Sequence, residues 1–403
     1  MLSYSEASEK IFEVISKLKK GPEEIDLTES LGRILAKDIM SDINLPPFTN
    51  SAMDGYAVKF NPDIRNWNIV GEISAGNFNV YKIDYNSAVR IMTGAKLPEG
   101  TDTVIPVEDC IQSGNTISVS EEYSMKKFRN TRLIGEDLRI NSVAICSGTM
   151  IKSNHINIAA ACGKMKVRVF KKFAIGIIAS GDELIPAEQK PDDDKIRSTN
   201  VPSLIASIKE MQMNAVDFGI CKDRPEDITK KLKEALGYGI DILITTGGVS
   251  VGKYDFMQDA IKSIGAEIQF WKVNIKPGKP LLFSTYTKED KIIPIFSLPG
   301  NPVSCYVNFK LFVKNTILKY FGVTEQEHFQ AKLKTSAKKH DSRLHFVMAK
   351  SNFDFNNRCF VVESAGSQSS GTMSTMSNSN CMFIFPEELR ILDKGEWVEC
   401  IRI

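Results

Sequence analysis

The chain has no CxxC pair: its eight cysteines stand singly at 110, 146, 162, 221, 305, 359, 381 and 400. Its four histidines, at 155, 328, 340 and 345, show no metal-ligand spacing either. These absences exclude the usual structural zinc frameworks. Any metal at work here is a hard cation held by carboxylates and phosphate, or an oxyanion held by N–H, hydroxyl and ammonium groups. No run approaches the roughly 18 apolar residues of a membrane span. The opening stretch MLSYSEASEKIF lacks the basic-then-apolar layout of a secretory leader, so the expected location is cytoplasmic, with no membrane partner. Net charge is also scarce. With 51 Lys and Arg against 49 Asp and Glu, the formal +2 gives no broad field for a nucleic-acid backbone, and no nucleic-acid partner is expected.

At 403 residues the chain is too long for one ordinary core, and roughly two to four domains are expected. Ala7, Ile11, Val14, Ile15 and Leu18 recur at helical spacing over residues 4–19, and a second short helix is expected over 29–36. Pro46 and Pro47 then stop any helix. Short β-type runs separated by turns follow to about residue 137, which predicts a small all-β domain. HINIAAACG reads as a helix, and a boundary falls near Lys171 and Lys172.

The next section alternates strand and helix: FAIGIIAS, NVPSLIASIKEM, AVDFGIC, EDITKKLKEALG, DILITTGG. That alternation with short links argues a doubly wound parallel sheet, whose ligands sit beyond the carboxyl ends of the strands. Those ends carry Asp182 and Glu183, then Asp223, then Thr245 and Thr246 with Asp255 behind them. Gly247 to Gly252 is a strand-to-helix turn where backbone N–H groups can hold an anion, with Lys276 and Lys279 adding positive charge. The turn equally suits a plain tight connection with an acidic residue at the helix start. Gly300 to Ser304, with Asn301 as cap and Pro302 at the first position, is another helix start open to an anion, or an ordinary one. The last 80 residues read as short strands of a small β-barrel or sandwich. The expected fold is thus α/β and multidomain. It has an N-terminal helical/β region over 1–172 with a small β domain inserted at about 43–137, a central doubly wound α/β domain over 173–322, and a C-terminal small β domain over 323–403.

Six motifs occur in order: SAMDGYAV at 51–58, RIMTGAKLPEG at 90–100, SGDEL at 180–184, TTGGVSVGKYD at 245–255, KPGKP at 276–280 and LPGNPVS at 298–304. In these the chain resembles the molybdopterin molybdotransferases, the MoeA and gephyrin E-domain family. The resemblance implies insertion of molybdate into adenylated molybdopterin, with Mg²⁺-dependent cleavage of the adenylate and release of AMP. It implies catalytic roles for Asp54, Asp137, Glu183, Asp223 and Asp255, with Mg²⁺ placed by Glu183, Asp223 and Asp255. For the pterin phosphates and the oxyanion it implies contacts from Thr93, Gly247, Gly248, Ser250, Gly252, Lys276, Lys279, Pro299, Gly300, Asn301 and Ser304. Arg343 in SRLHF and Ser370 in GSQSS are assigned there too. Family members are homodimers, so Asp54 and Thr93 are expected to serve a site completed by the second copy. An adenylyltransferase supplying the pterin, and acceptor molybdoenzymes, are the implied partners. Lys253 and Ser297 depart from the family pattern, which often has an acidic residue and a glycine there. The rival expectations are the adenylyltransferase-type activity itself and a non-catalytic scaffold.

Overall fold

The computed structural model describes residues 1–76, 80–248, 256–323 and 328–403. Six strands form its central sheet: β1 (Ala174–Ser180), β2 (Asn214–Cys221), β3 (Ile242–Thr246), β4 (Glu267–Trp271), β5 (Leu282–Lys288) and β6 (Lys291–Leu298). Their order across the sheet is β2-β1-β3-β6-β5-β4. β2, β1, β3 and β6 run parallel, as the strand–helix alternation predicts. β5 instead runs antiparallel to both of its neighbours, β6 and β4, so the sheet is mixed where the strand–helix alternation argued a parallel one. The cause is the link: only Glu289 and Asp290 separate β5 from β6, and a connection that short makes a hairpin, never a crossover.

Helices cover both faces. On one side α1 (Asn200–Glu210) buries Val201, Leu204 and Ile208 against Ile175, Ile177 and Ile244. On the other, α2 (Pro225–Gly237) and α3 (Phe256–Ser263) bury Ile228, Leu232 and Met257 against Ile178 and Leu243. Alternate residues of one strand feed opposite cores, so these strands are continuously apolar. The helix Tyr4–Ile15, opened by a Ser3/Glu6 capping box, sends Ala7, Ile11 and Ile15 into the α1-side core. The expected helix over 29–36 does not form. Leu27–Glu29 makes one 3₁₀ turn, Gly32 takes φ +75°, and Leu35 pairs as extended chain with Thr149 and Val169. Strand pairing wins there because a left-handed glycine interrupts the helical turn.

Residues 55–118 form a second six-stranded sheet, and residues 328–402 close into a barrel when Leu344–Asp354 pairs with both Cys359–Ser364 and Cys381–Phe385. A short strand, Ile275–Lys276, leaves the central unit and pairs in parallel with Leu344 and His345 on the barrel's edge. No helix among the described residues is long and apolar enough to cross a membrane.

Candidate active site

A cleft of about 380 Å³ opens at the carboxyl ends of β1, β2, β3 and β6. Each strand contributes the residues just beyond its end: Glu183 after β1, Asp223 after β2, Gly247 and Gly248 after β3, and Pro299, Gly300 and Asn301 after β6. Glycine is required at the third of these turns. Gly247 has φ +97°, and a Cβ there would stand 2.1 Å from the Ser180 carbonyl oxygen. At Gly248, φ is +67° and a Cβ would lie 3.2 Å from an Asp223 carboxylate oxygen. A side chain at either position would fill the space in front of the carboxylates.

The turns are fastened to one another. Asn200, at the start of α1, donates through Nδ2 to Thr246 Oγ1 and to the Gly300 carbonyl, both at 2.8 Å. Thr246 Oγ1 donates to the Pro299 carbonyl at 3.2 Å, and Gly247 N–H to the Leu298 carbonyl at 3.2 Å. The Asp223 N–H donates to Asp182 Oδ1 at 3.3 Å. Asn200 was not singled out by sequence, although its place at a strand–loop–helix junction within STN is a usable signal.

A second cavity, about 300 Å³, lies where Ile275–Lys276 meets the barrel. Lys276, Lys338, Lys339, His340, Asp341 and His345 are among its walls. Arg343 forks onto Asp341, with Nη2 at 2.7 Å and Nε at 3.2 Å. His345 Nε2 is 2.8 Å from the same carboxylate and Lys276 Nζ is 3.8 Å away. The Arg343 guanidinium, and after it His345 and the Arg343 N–H, hold the Asp341 carboxyl far below the usual range despite partial burial. Burial, together with the Lys276 and Lys339 charges, leaves the His345 imidazole lowered despite the raising pull of Asp341. Lys339 is buried, donates to the Arg343 and Pro386 carbonyls, and is likewise lowered, chiefly by desolvation.

The KPGKP segment forms a partition: Lys276 and Pro277 face the second cavity, and Pro280 faces the first. Its turn is fixed by Gly278, φ +104°, whose carbonyl accepts from the buried Asn308 Nδ2 at 3.0 Å. A Cβ on Gly278 would meet Asn308 Oδ1 at 2.6 Å. The Lys279 carbonyl accepts from the Val273 and Leu281 N–H groups, both at 3.0 Å. Ser370 sits at the rim of the cleft, where its Oγ is 3.1 Å from Asn301 Nδ2 and its carbonyl accepts from Val303 N–H at 3.2 Å. Ser304 is buried in the first turn of the helix Pro302–Asn308 and does not line the cleft.

Asp54 and Thr93 come together elsewhere, on the 55–118 sheet. Asp54 Oδ1 accepts from the Thr93 N–H and hydroxyl, both at 2.7 Å, and these bonds lower its carboxyl. Asp137 is exposed, with its N–H donating to the Leu45 carbonyl. None of the three lines the cleft, whose walls run from residue 180 to 302. Ser250, Gly252, Lys253 and Asp255 lie outside the described residues.

Residues 2–163 match the MoeA N-terminal region (domain I and II), 176–319 the "Probable molybdopterin binding domain", and 330–403 the MoeA C-terminal region (domain IV). The chain belongs to the MoeA family. A molybdopterin molybdenumtransferase from Haemophilus influenzae is 33% identical over 99% of this chain and 98% of its own length. Gephyrin from Dictyostelium discoideum is also 33% identical over the whole chain, which spans 62% of that longer protein. The crystal structure of a molybdopterin biosynthesis MoeA protein from Pyrococcus horikoshii superposes with a TM-score of 0.84 at 26% identity, each chain fully covered. In this MoeA-family chain no three His, Cys, Asp or Glu side chains among the described residues group closely enough to hold a metal ion alone. The two carboxylates among the cleft's described walls, Glu183 and Asp223, nonetheless suit Mg²⁺, which takes one or two carboxylates and completes its shell with water and substrate phosphate.

Proposed function

We propose that this protein inserts molybdate into adenylated molybdopterin, releasing AMP, as a transferase of molybdenum cofactor biosynthesis. The observation that carries this is the strand-end cleft, in which Glu183 and Asp223 stand beside turns whose glycines admit a phosphate-bearing ligand. Its support from relatives is the name molybdopterin molybdenumtransferase borne by a full-length match.

Glu183 and Asp223 would hold Mg²⁺, which when bound polarises the phosphoanhydride to be cleaved. The backbone at Gly247, Gly248 and Gly300 lets the phosphates approach the strand ends, and Asn200 keeps two of those turns in register. Lys276 and Arg343, across the partition, supply cations for the oxyanion. Asp255, Ser250 and Gly252 complete the proposed set on the Mg²⁺ and phosphate side. Asp54 and Thr93 line no part of this chain's cleft, which accords with a homodimer in which they face the cleft of the second copy. A cytoplasmic enzyme is proposed, receiving its substrate from an adenylyltransferase and passing its product to apo-molybdoenzymes.

The test is AMP release from adenylated molybdopterin by the purified protein with Mg²⁺, with and without molybdate. Molybdate-dependent release that also yields a cofactor able to activate an apo-molybdoenzyme is the expected outcome. ATP consumption without molybdate would point to adenylylation instead, and no release with any oxyanion would leave a scaffold.

A further inference from the structure

In the barrel-edge cavity, a carboxylate already satisfies the groups that would take an external anion. Asp341 offers two oxygens to the Arg343 guanidinium fork, accepts from the Arg343 N–H at 3.1 Å, lies 2.8 Å from His345 Nε2, and stands 3.8 Å from Lys276 Nζ. Those are the contacts an oxyanion would make: a planar bidentate donor, a backbone N–H, an imidazole and an ammonium. We propose that Asp341 is a built-in competitor, occupying the anion subsite of Lys276, Arg343 and His345, so that a tetrahedral dianion binds there only by displacing it. This rests on the oxyanion role proposed above for Lys276 and Arg343.

The placement allows displacement. Asp341 lies in the irregular stretch 340–343 before the strand Leu344–Asp354, and its side chain is 34% exposed, so it can turn outward without uncovering a core. Arg343 and Lys276 are held elsewhere by the chain: the backbone of Lys276 pairs with His345 in the edge register, and the Arg343 carbonyl is pinned by Lys339. The backbone anchors of both cations therefore do not depend on Asp341, and their side chains stay within reach of the subsite when the carboxylate leaves. Two consequences follow. Oxyanion affinity is set below what the cations alone would give, and a doubly charged anion outcompetes Asp341 where a singly charged one does not, because the carboxylate itself carries one charge.

The experiment is calorimetric titration of the full-length protein with sodium molybdate alone, for wild type, Asp341→Asn, Asp341→Glu and Arg343→Ala, with thermal melts as a check on folding. Competition predicts roughly tenfold tighter binding in Asp341→Asn, near wild-type affinity in Asp341→Glu, and roughly tenfold weaker binding in Arg343→Ala. Tighter binding is the diagnostic sign, because a carboxylate that merely oriented Arg343 would weaken binding when removed. Unchanged or weaker binding in Asp341→Asn, with Arg343 still required, overturns the competitor role and leaves the oxyanion site standing. Binding in neither wild type nor Asp341→Asn, or binding indifferent to Arg343→Ala, overturns the oxyanion site and the competitor together. Should Asp341→Asn melt early, Asp341→Ser removes the same charge and is judged by the same sign.

Discussion

The strand-end cleft and the barrel-edge cavity share the partition 276–280 but are built from opposite materials. The cleft is made of backbone turns with two carboxylates set among them, and its shape depends on residues that have no side chain. The cavity sets Lys276, Lys338, Lys339, His340, His345 and one carboxylate, Asp341, among apolar walls such as Phe346, Phe383 and Phe385, where the strand Ile275–Lys276 joins the barrel's sheet. On the reading proposed above, the first would hold a divalent cation and substrate phosphate, and the second an oxyanion. The segment separates the cleft's carboxylates from the lysines of the cavity.

Five substitutions would break or sharpen this contrast. Gly247→Ala should have the largest effect, because the new Cβ clashes with the Ser180 carbonyl at a left-handed φ. Turnover should vanish and stability should fall by about 3 kcal/mol, read by AMP release and by melting. Next come Glu183→Gln and Asp223→Asn, which change charge and keep shape. Each should slow turnover about a hundredfold, or about 2.7 kcal/mol of barrier, with an unchanged melting temperature. Arg343→Ala should act on the other cavity alone, raising the KM for molybdate about tenfold, or about 1.4 kcal/mol, at a nearly constant kcat. If it lowered kcat as far as the carboxylate variants do, the division between the two cavities would be wrong.

The smallest effect on activity is expected from Asp241→Asn, at the opposite end of the sheet. Asp241 accepts from Lys20 Nζ at 2.6 Å, Ala174 N–H at 2.8 Å and Lys291 Nζ at 3.2 Å. Burial is the largest single influence on its carboxyl and raises it. The Lys20 and Ala174 hydrogen bonds, with the Lys20 and Lys291 charges, together outweigh burial and leave it lowered. A folded value below the unfolded one means that this contribution is full above the unfolded value, 3.8, and is lost as pH falls through the folded one. Asp241→Asn should therefore cost about 2 kcal/mol at neutral pH and flatten the acid limb of the stability curve, leaving AMP release unchanged.

The strand–helix alternation over 173–246 was legible because each element carries its own period, and the groups just beyond the strand ends followed from the topology of such sheets. Glu183, Asp223, Gly247, Gly248, Pro299, Gly300 and Asn301, marked by sequence, do surround one cleft. The reversed strand β5 was missed because a two-residue link in FSTYTKEDKIIPIF carries a weak turn signal, although Glu289 takes φ +53° there. The helix expected over 29–36 failed for a related reason: local spacing was outweighed by pairing with residues 149 and 169, far along the chain.

By itself the sequence determined the family, the α/β centre and the residues just beyond the strand ends that face the cleft, since those rest on contiguous motifs and on periodicities that a short window contains. Only the tertiary structure decided which of them meet. It put the helix Tyr4–Ile15 into the central core, set Lys276 beside His345 through one parallel register, and clasped Arg343 with Asp341. Such meetings depend on edge pairing and side-chain direction between segments distant in the chain, and no local pattern encodes them.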